Sequence, residues 1–582
     1  MKHSYKRAWR VITSMVLIAI ATSCDLFDLD INKDPNNPQA VTPALLLPSV
    51  MYNASATFAG GLSNNAAGFV GGMIVSAEDW ALTQSSYVGT WSGLYTGSLK
   101  DLDEAIKFCR NVGNQPGYLG IALVLKAYYF SLMVDLWGDV PYFNAFNGNN
   151  TADPNINPAY DDGAAIYADL LTTLDEAVAL LNTVDPIDTR QGDPIFGSNS
   201  ANTAAQRAKW VATANSLKLR LLIQTRLVSN NSAAITTVLG QPLITSTAND
   251  FQFQFGRLLN PDNRHPWYQA AYTGAENGFN YFGHQIMFEM LRDRDPRFSF
   301  FFKRQRNTVL NFNDPTERNT ATCTTAPCFY GYFPVNGNAK SLLQTSGVIS
   351  TPETVADRAL LAGIFGRDRG DRSGVPLDGS HRTAPGVYPA GGFFDDGGFT
   401  AVGTASRPVR GNNAFGAGVF PMITSYNVLF YRIEALLAGV VPGGAAAARP
   451  LVEQAIRTHI SKVVSFGQSL DASSVTPATA AVEAFVATQM AFYDGAANDN
   501  DRLNRAMKIA WFCNFGNGYE IYNAYRRTGY PDANLIRPQI QPPVRGFPNR
   551  LPYSLDDLSL NSSVTDAQRG VVFDVDKVFW DN

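Results

Sequence analysis

The residues of this chain best placed to do covalent chemistry are cysteines. Ala21-Thr22-Ser23-Cys24 puts small residues directly before a thiol. They close an N-terminal segment with a basic head (Lys2, Lys6, Arg7, Arg10) and an apolar stretch from Val11 to Ala21. This is the layout of a bacterial secretory signal, and its end resembles a lipobox, in which the cysteine is acylated and becomes the new N-terminus. The apolar stretch is about half of the roughly 20 residues a spanning helix needs, so residues 1–23 read as a processed signal. Several acyl chains on Cys24 hold a protein stably at a membrane, because each buried methylene contributes roughly 0.8 kcal/mol. The alternative these residues leave open is ordinary secretion, with Cys24 a plain thiol. Cys323 and Cys328 bracket Thr-Thr-Ala-Pro, a spacing that can close a small disulfide in an exported protein. Cys109 and Cys513 fall in apolar helical patterns and read as buried thiols.

Other reactive types do not converge. His265, His284, His381 and His459 are scattered, with no His-Glu-x-x-His and no i, i+4 pair for zinc. No Gly-x-Ser-x-Gly elbow and no phosphate-cradling glycine loop is present. A glycosidase needs only two carboxylates at the right separation, and 50 acidic residues leave that alternative open. The reading is nonetheless a binding protein, not an enzyme, without metal or cofactor. Asp28, Asp30, Asn32 and Asp34 alternate as in a calcium loop, but Lys33 stands where a glycine is needed and Gln39 where a glutamate closes the loop. Residues 24–42 therefore read as a solvated, lipidated tether. A net charge of −4 argues against a nucleic-acid partner. Charged residues are 16%, against a typical ~25%, and aromatics reach 12%. Such a surface suits neutral ligands, sugars or peptide backbone.

The elements that must position these residues are helices. Apolar periodicity predicts helices over 43–58, 87–110, 117–137, 163–182 and 205–229, and again over 422–438, 446–466, 476–493 and 501–528. No long apolar run beyond the signal is expected to span a bilayer. Leu102-Asp-Glu-Ala-Ile106 recurs as Leu174-Asp-Glu-Ala-Val178 and faintly as Val452-Glu-Gln-Ala-Ile456. The first two copies stand about two 34-residue tetratricopeptide units apart. The fold class is thus all-α: a tetratricopeptide-like scaffold with an N-terminal part over 43–234 and a C-terminal part over 421–582 of one domain. Residues 235–420, rich in Gly, Pro, Asn and aromatics, form a large loop-rich insertion, the kind of segment that usually carries function.

An ordered set of motifs runs through the mature chain: Leu29-Asp-Ile-Asn-Lys-Asp-Pro-Asn-Asn-Pro38, Leu136-Trp-Gly-Asp-Val-Pro-Tyr-Phe143, Arg292-Asp-Arg-Asp-Pro-Arg297, Tyr431-Arg-Ile-Glu-Ala435, Asn517-Gly-Tyr-Glu-Ile-Tyr-Asn-Ala-Tyr-Arg-Arg-Thr-Gly-Tyr-Pro531, Phe547-Pro-Asn-Arg-Leu-Pro-Tyr553 and Lys577-Val-Phe-Trp-Asp581. With the lipobox, the set resembles the SusD/RagB family of outer-membrane nutrient-binding lipoproteins. The resemblance implies a surface-exposed lipoprotein of the Bacteroidota type. Such a protein caps a SusC-like TonB-dependent transporter, captures glycans (in some members peptides) and passes them into the barrel. The motifs themselves read as scaffold. Gly138 and Pro141 end a helix and turn the chain. Arg526 and Arg527 complement a helix dipole, and Gly529 stops that helix. Arg432 and Glu434, two residues apart, do not pair with each other.

The family resemblance also implies a ligand site between an early loop, ahead of the helix at 87–110, and the insertion. Sugar rings present C–H faces that aromatics cover, while amides and carboxylates take the hydroxyls. In Glu78–Tyr87 and Asn263–Tyr281 the expected platforms are Trp80, Tyr87, Trp267 and Tyr272. The expected polar partners are Asp79, Gln84, Arg264 and Asn277. Trp91, spaced with Leu94, Tyr95 and Leu102, reads as core.

Overall fold

The computed structural model describes residues 41–71, 80, 82–112, 114–148, 154–273, 281–304, 343–351, 383–397, 414–532 and 545–581, with 354, 364 and 366. The signal, the tether to residue 40, Cys24, Asp79, Asn277, Cys323 and Cys328 lie outside these. One compact unit runs from Pro43 to Asn582. Its first part holds α1 (Pro43–Thr57), a π-helical turn (Phe58–Leu62), α2 (Ser63–Phe69), α3 (Val88–Gly93), a second π-helical turn (Leu94–Ser98), α4 (Leu99–Val112), α5 (Pro116–Trp137), α6 (Gly163–Leu181), α7 (Thr203–Gln224) and α8 (Ser232–Leu239). After β1 (Phe251–Gln254) come α9 (His284–Arg292), β2 (Phe302–Lys303), β3 (Ala384–Pro385) and β4 (Val419–Ile423). The last part holds α10 (Ser425–Leu437), α11 (Gly444–Leu470), α12 (Thr479–Asp494), α13 (Asp499–Cys513), α14 (Gly518–Thr528) and α15 (Leu555–Leu560).

Local chemistry starts the helices. Asp162 accepts the Ala165 amide at 2.8 Å, Asn202 that of Ala205 at 2.9 Å and Asn498 that of Asp501 at 3.0 Å. Thr424 and Asn427 cap each other reciprocally at the start of α10. Each such cap contributes about 1 kcal/mol. Packing supplies the rest. α5 is long and apolar enough to cross a membrane by length and composition, correcting the expectation of no such run, yet it is buried inside the scaffold. It is apolar all round because α4, α6 and α7 pack around it. Two expected helices are each interrupted. The 87–110 segment is α3 and α4 with the π turn between them. The 501–528 segment breaks at Gly516, whose φ of +98° suits glycine. The short α2, α8 and α9 carried too little periodicity to be expected.

The segment between β1 and β4 leaves and returns at one neck. β1 pairs antiparallel with β4, Phe253 opposite Phe420 and Gln254 opposite Val419. Ion pairs fix it to the last helices. Asp250 meets Lys462 at 2.6 Å. Arg297, held by Asp295 at 2.5 Å, reaches His459 Nδ1 at 2.7 Å and Cys513 Sγ at 3.5 Å. Cys109 and Cys513 are free and buried, and burial pushes both thiols up to about 11.

The motifs lock the halves together. Asp135, fully buried, takes hydrogen bonds from Arg220 at 2.8 Å, Asn523 at 2.7 Å, Trp580 at 3.1 Å and the Tyr167 hydroxyl. Glu434 pairs with Arg527 and Arg226, each at 2.7 Å. Arg526 donates to the carbonyls of Asn549 at 2.6 Å and Asp135 at 2.7 Å. Arg526 and Arg527 thus serve buried bonds between elements, where the sequence suggested only the dipole of α14. Trp137 donates to the Pro552 carbonyl at 3.0 Å, and Gly138, at φ +77°, ends α5 against the Arg550 guanidinium.

Candidate functional site

The π-helical turns Phe58–Leu62 and Leu94–Ser98 both line one open cleft of about 700 Å³. Such turns widen a helix locally and are frequent at functional sites. Here α1 contributes Tyr52, Asn53 and Thr57, α2 contributes Asn65, and the α3 segment contributes Tyr87 and Thr90. Gly89, Gly93 and Gly97 line it at i, i+4, i+8, so they share one face. Each glycine in a helix costs about 1 kcal/mol relative to alanine. A Cβ added at Gly61, Gly89, Gly93 or Gly97 would meet nothing within 4 Å. Neither packing nor backbone conformation therefore asks for glycine at these positions; what they do is keep the cleft open. None of the lining residues is charged. The lining offers amides, hydroxyls, two tyrosines and bare backbone, the set that matches a neutral polyhydroxylated ligand. The Gly-x-x-x-Gly-x-x-x-Gly spacing stands in the sequence, but apolar periodicity, the signal that locates helices, gives glycine no weight.

Both expected stretches converge beside this cleft, on adjacent residues of α2. Trp267 Nε1 donates to Asn64 Oδ1 at 2.6 Å, and Asn65 Nδ2 donates to the Tyr87 hydroxyl at 2.9 Å. Their roles differ from those expected. Trp80, Tyr87, Trp267 and Tyr272 are 6%, 4%, 2% and 3% exposed, and a ring covered on both faces cannot carry a sugar. Trp80 packs edge-on against Phe547, Trp267 against Phe515 and Phe282, and Tyr272 stacks on Tyr268 while its hydroxyl donates to the Pro385 carbonyl at 2.6 Å. Tyr87 alone of the four lines the cleft. Arg264 is buried and committed to Asp262 by two bonds, of 2.8 and 2.5 Å. Gln84 is half-buried and its backbone carbonyl accepts from Leu555 at 3.0 Å. Trp91 is core, as its spacing indicated, ringed by Tyr95, Trp137, Tyr160 and Tyr553.

The insertion supports the cleft from behind. The Tyr52 hydroxyl donates to the Asp262 carbonyl at 2.5 Å; burial, then the Asp262 charge, push that phenol up. The bond to Arg264 holds the Asp262 carboxyl below its ordinary range. His265 is buried, accepts the Trp267 amide at 3.1 Å, and is held down to about 3 by burial, so it is neutral. Among the described residues no group of three or more His, Cys, Asp or Glu could hold a metal ion.

Residues 35–316 match the family model described as starch-binding and associating with the outer membrane. Residues 418–572 match the model for the SusD and RagB outer-membrane lipoproteins. This chain belongs to the SusD/RagB family. The stretch between the matches falls between β1 and β4. Solved structures share the fold over nearly the full length. A SusD-like protein of Bacteroidetes is 17% identical (TM-score 0.64, 93% of this chain and 100% of that one). A SusD/RagB protein of Bacteroides thetaiotaomicron is 18% identical (TM-score 0.63, 93% and 99%). A chitin-binding protein is 18% identical (TM-score 0.58, 93% and 99%). No curated protein matches the sequence. Of the motifs, Leu136–Phe143, Tyr431–Ala435, Asn517–Pro531, Phe547–Tyr553 and Lys577–Asp581 supply residues to the buried lattice around Asp135 and Glu434, and none of their residues is among those lining the cleft.

Proposed function

We propose that this SusD/RagB protein captures neutral glycans at the cell surface and hands them to a SusC-like TonB-dependent transporter, without turning them over. The observation that carries the reading is the uncharged cleft beside α1, kept open by glycines that packing does not require. Tyr52 and Tyr87 border it and Asn53, Asn65, Thr57 and Thr90 supply donors and acceptors for hydroxyls. One solved relative is named a chitin-binding protein and one matching family model is described as starch-binding, which favours glycan over peptide. Acylation at Cys24 is the proposed anchor, and the transporter the proposed partner. The test is calorimetry of the mature protein against neutral glucan, mannan, xylan and N-acetylglucosamine oligosaccharides, with Gly93→Trp beside it. Gly93 has open space, so the indole fills the cleft without straining the fold. Binding lost in Gly93→Trp at unchanged melting temperature supports the reading. Binding of protein-digest peptides alone, or glycan binding untouched by Gly93→Trp, overturns it.

A further inference from the structure

A second cleft, of about 450 Å³, has Pro48, Asp188, Arg190, Asp193, Pro194 and Ser198 among its lining residues. It touches the same helix as the first. Pro48 and Tyr52 are four residues apart, hence one turn apart on one face of α1, and Tyr52 lines the first cleft. The half-buried Tyr52 ring, packed on Phe253 and Phe255, therefore stands on the α1 face between Pro48 of the second cleft and Ala56 of the first. From Pro48 to Gly61 the path along α1 and its π turn is about 20 Å at 1.5 Å per residue.

The chemistry of the second cleft differs from that of the first. Arg190 grips Asp188 through Nε at 2.9 Å and Nη2 at 2.6 Å, and its Nη1 donates to the Ala201 carbonyl at 3.1 Å. A guanidinium has five N–H donors, so one on each terminal nitrogen is left over in a side chain 34% exposed. The bond to Arg190 keeps the Asp188 carboxyl ionised far below its ordinary range. The pair is therefore a fixed planar fork of donors beside a fixed acceptor, a match for two adjacent hydroxyls of a pyranose. The apolar faces of Pro48 and Pro194 lie beside it for the C–H surface of the ring.

We propose that the two clefts are one track along α1, the neutral cleft holding the body of an oligosaccharide chain and the Asp188–Arg190 fork its far end. This rests on the capture reading above. Its consequence is selection by chain length: a short oligosaccharide fills the first cleft only, and a longer one gains the fork.

The test is calorimetry of the mature protein with a length series, disaccharide to heptasaccharide, of the neutral glycans above. Two hydrogen bonds gained at the far end, each at the ordinary net value because Arg190 is a third exposed, make long chains about ten- to a hundred-fold tighter than short ones. In Arg190→Ala and in Ser198→Trp, at an exposed position, the ratio of long-chain to short-chain affinity falls to near one. Loss of all binding in Gly93→Trp accompanies it. If no neutral oligosaccharide binds, or Gly93→Trp binds normally, the capture reading falls and the track with it. If Gly93→Trp abolishes binding but affinity is independent of length, or the length gain survives in both far-end variants, the track alone is wrong.

Discussion

Replacing Trp267 by alanine separates a core aromatic from a ligand platform. Its ring is 2% exposed, set edge-on to Phe515 at 5.6 Å, Phe282 at 6.2 Å and His265 at 5.8 Å, with the indole N–H on Asn64. Tryptophan-to-alanine changes at such sites cost about 3–5 kcal/mol, transfer and cavity together. Losing the hydrogen bond adds about 1 kcal/mol, because half-buried Asn64 can take water instead. Unfolding entropy of about 2.1 cal/mol/K per residue gives ~1.1 kcal/mol/K for a unit of this size, so the melting temperature falls by roughly 4–5 °C. Trp267→Phe keeps most of the ring and falls by about 1 °C on the same scale. Scanning calorimetry reads both. Affinity per folded molecule for the best glycan is retained in both variants, because Trp267 does not line the cleft. An unchanged melting temperature together with lost binding would mean that the ring meets ligand, and would refute the burial argument.

Glu434→Gln leaves the buried guanidinium groups of Arg226 and Arg527 without a counter-charge, a loss of about 3–5 kcal/mol by urea titration; a change under 1 kcal/mol would show that water reaches the cluster. Burial holds His265 down to about 3 and lowers His459 in the same direction, with Arg297 and Lys462 adding to the latter. Below about 6.5 the unfolded chain binds protons that the folded one refuses, so stability is complete above that pH and declines as acid is added, by about 2 kcal/mol at pH 5 for His265, with His459 acting in the same direction. Urea midpoints that stay flat from pH 7.5 to 5 contradict this. Cys24→Ala is expected to move the protein from the outer-membrane fraction to the soluble one, and continued membrane fractionation of that variant rules out acylation at Cys24 as the anchor.

The scaffold was legible because its signals are local. Capping residues such as Asp162 and Asn202, Gly138 after Trp137 and the apolar faces of the helices state their structure within a few residues of sequence. The ordered motifs likewise name a family without any contact being known. Side-chain fate in the loops is not local. Trp80, Trp267 and Tyr272 have the composition of a sugar platform, yet whether a ring faces water depends on what lies across from it. That was fixed by Phe547, Phe515 and Tyr268, and for Trp267 by a partner more than two hundred residues away in sequence. The neck formed by β1 and β4, and the pairing of Glu434 with Arg226 and Arg527, are decisions of the same kind. An aromatic residue carries the same apolar surface whether it serves a core or a ligand, so sequence alone could nominate these rings, and only the packed chain could assign them.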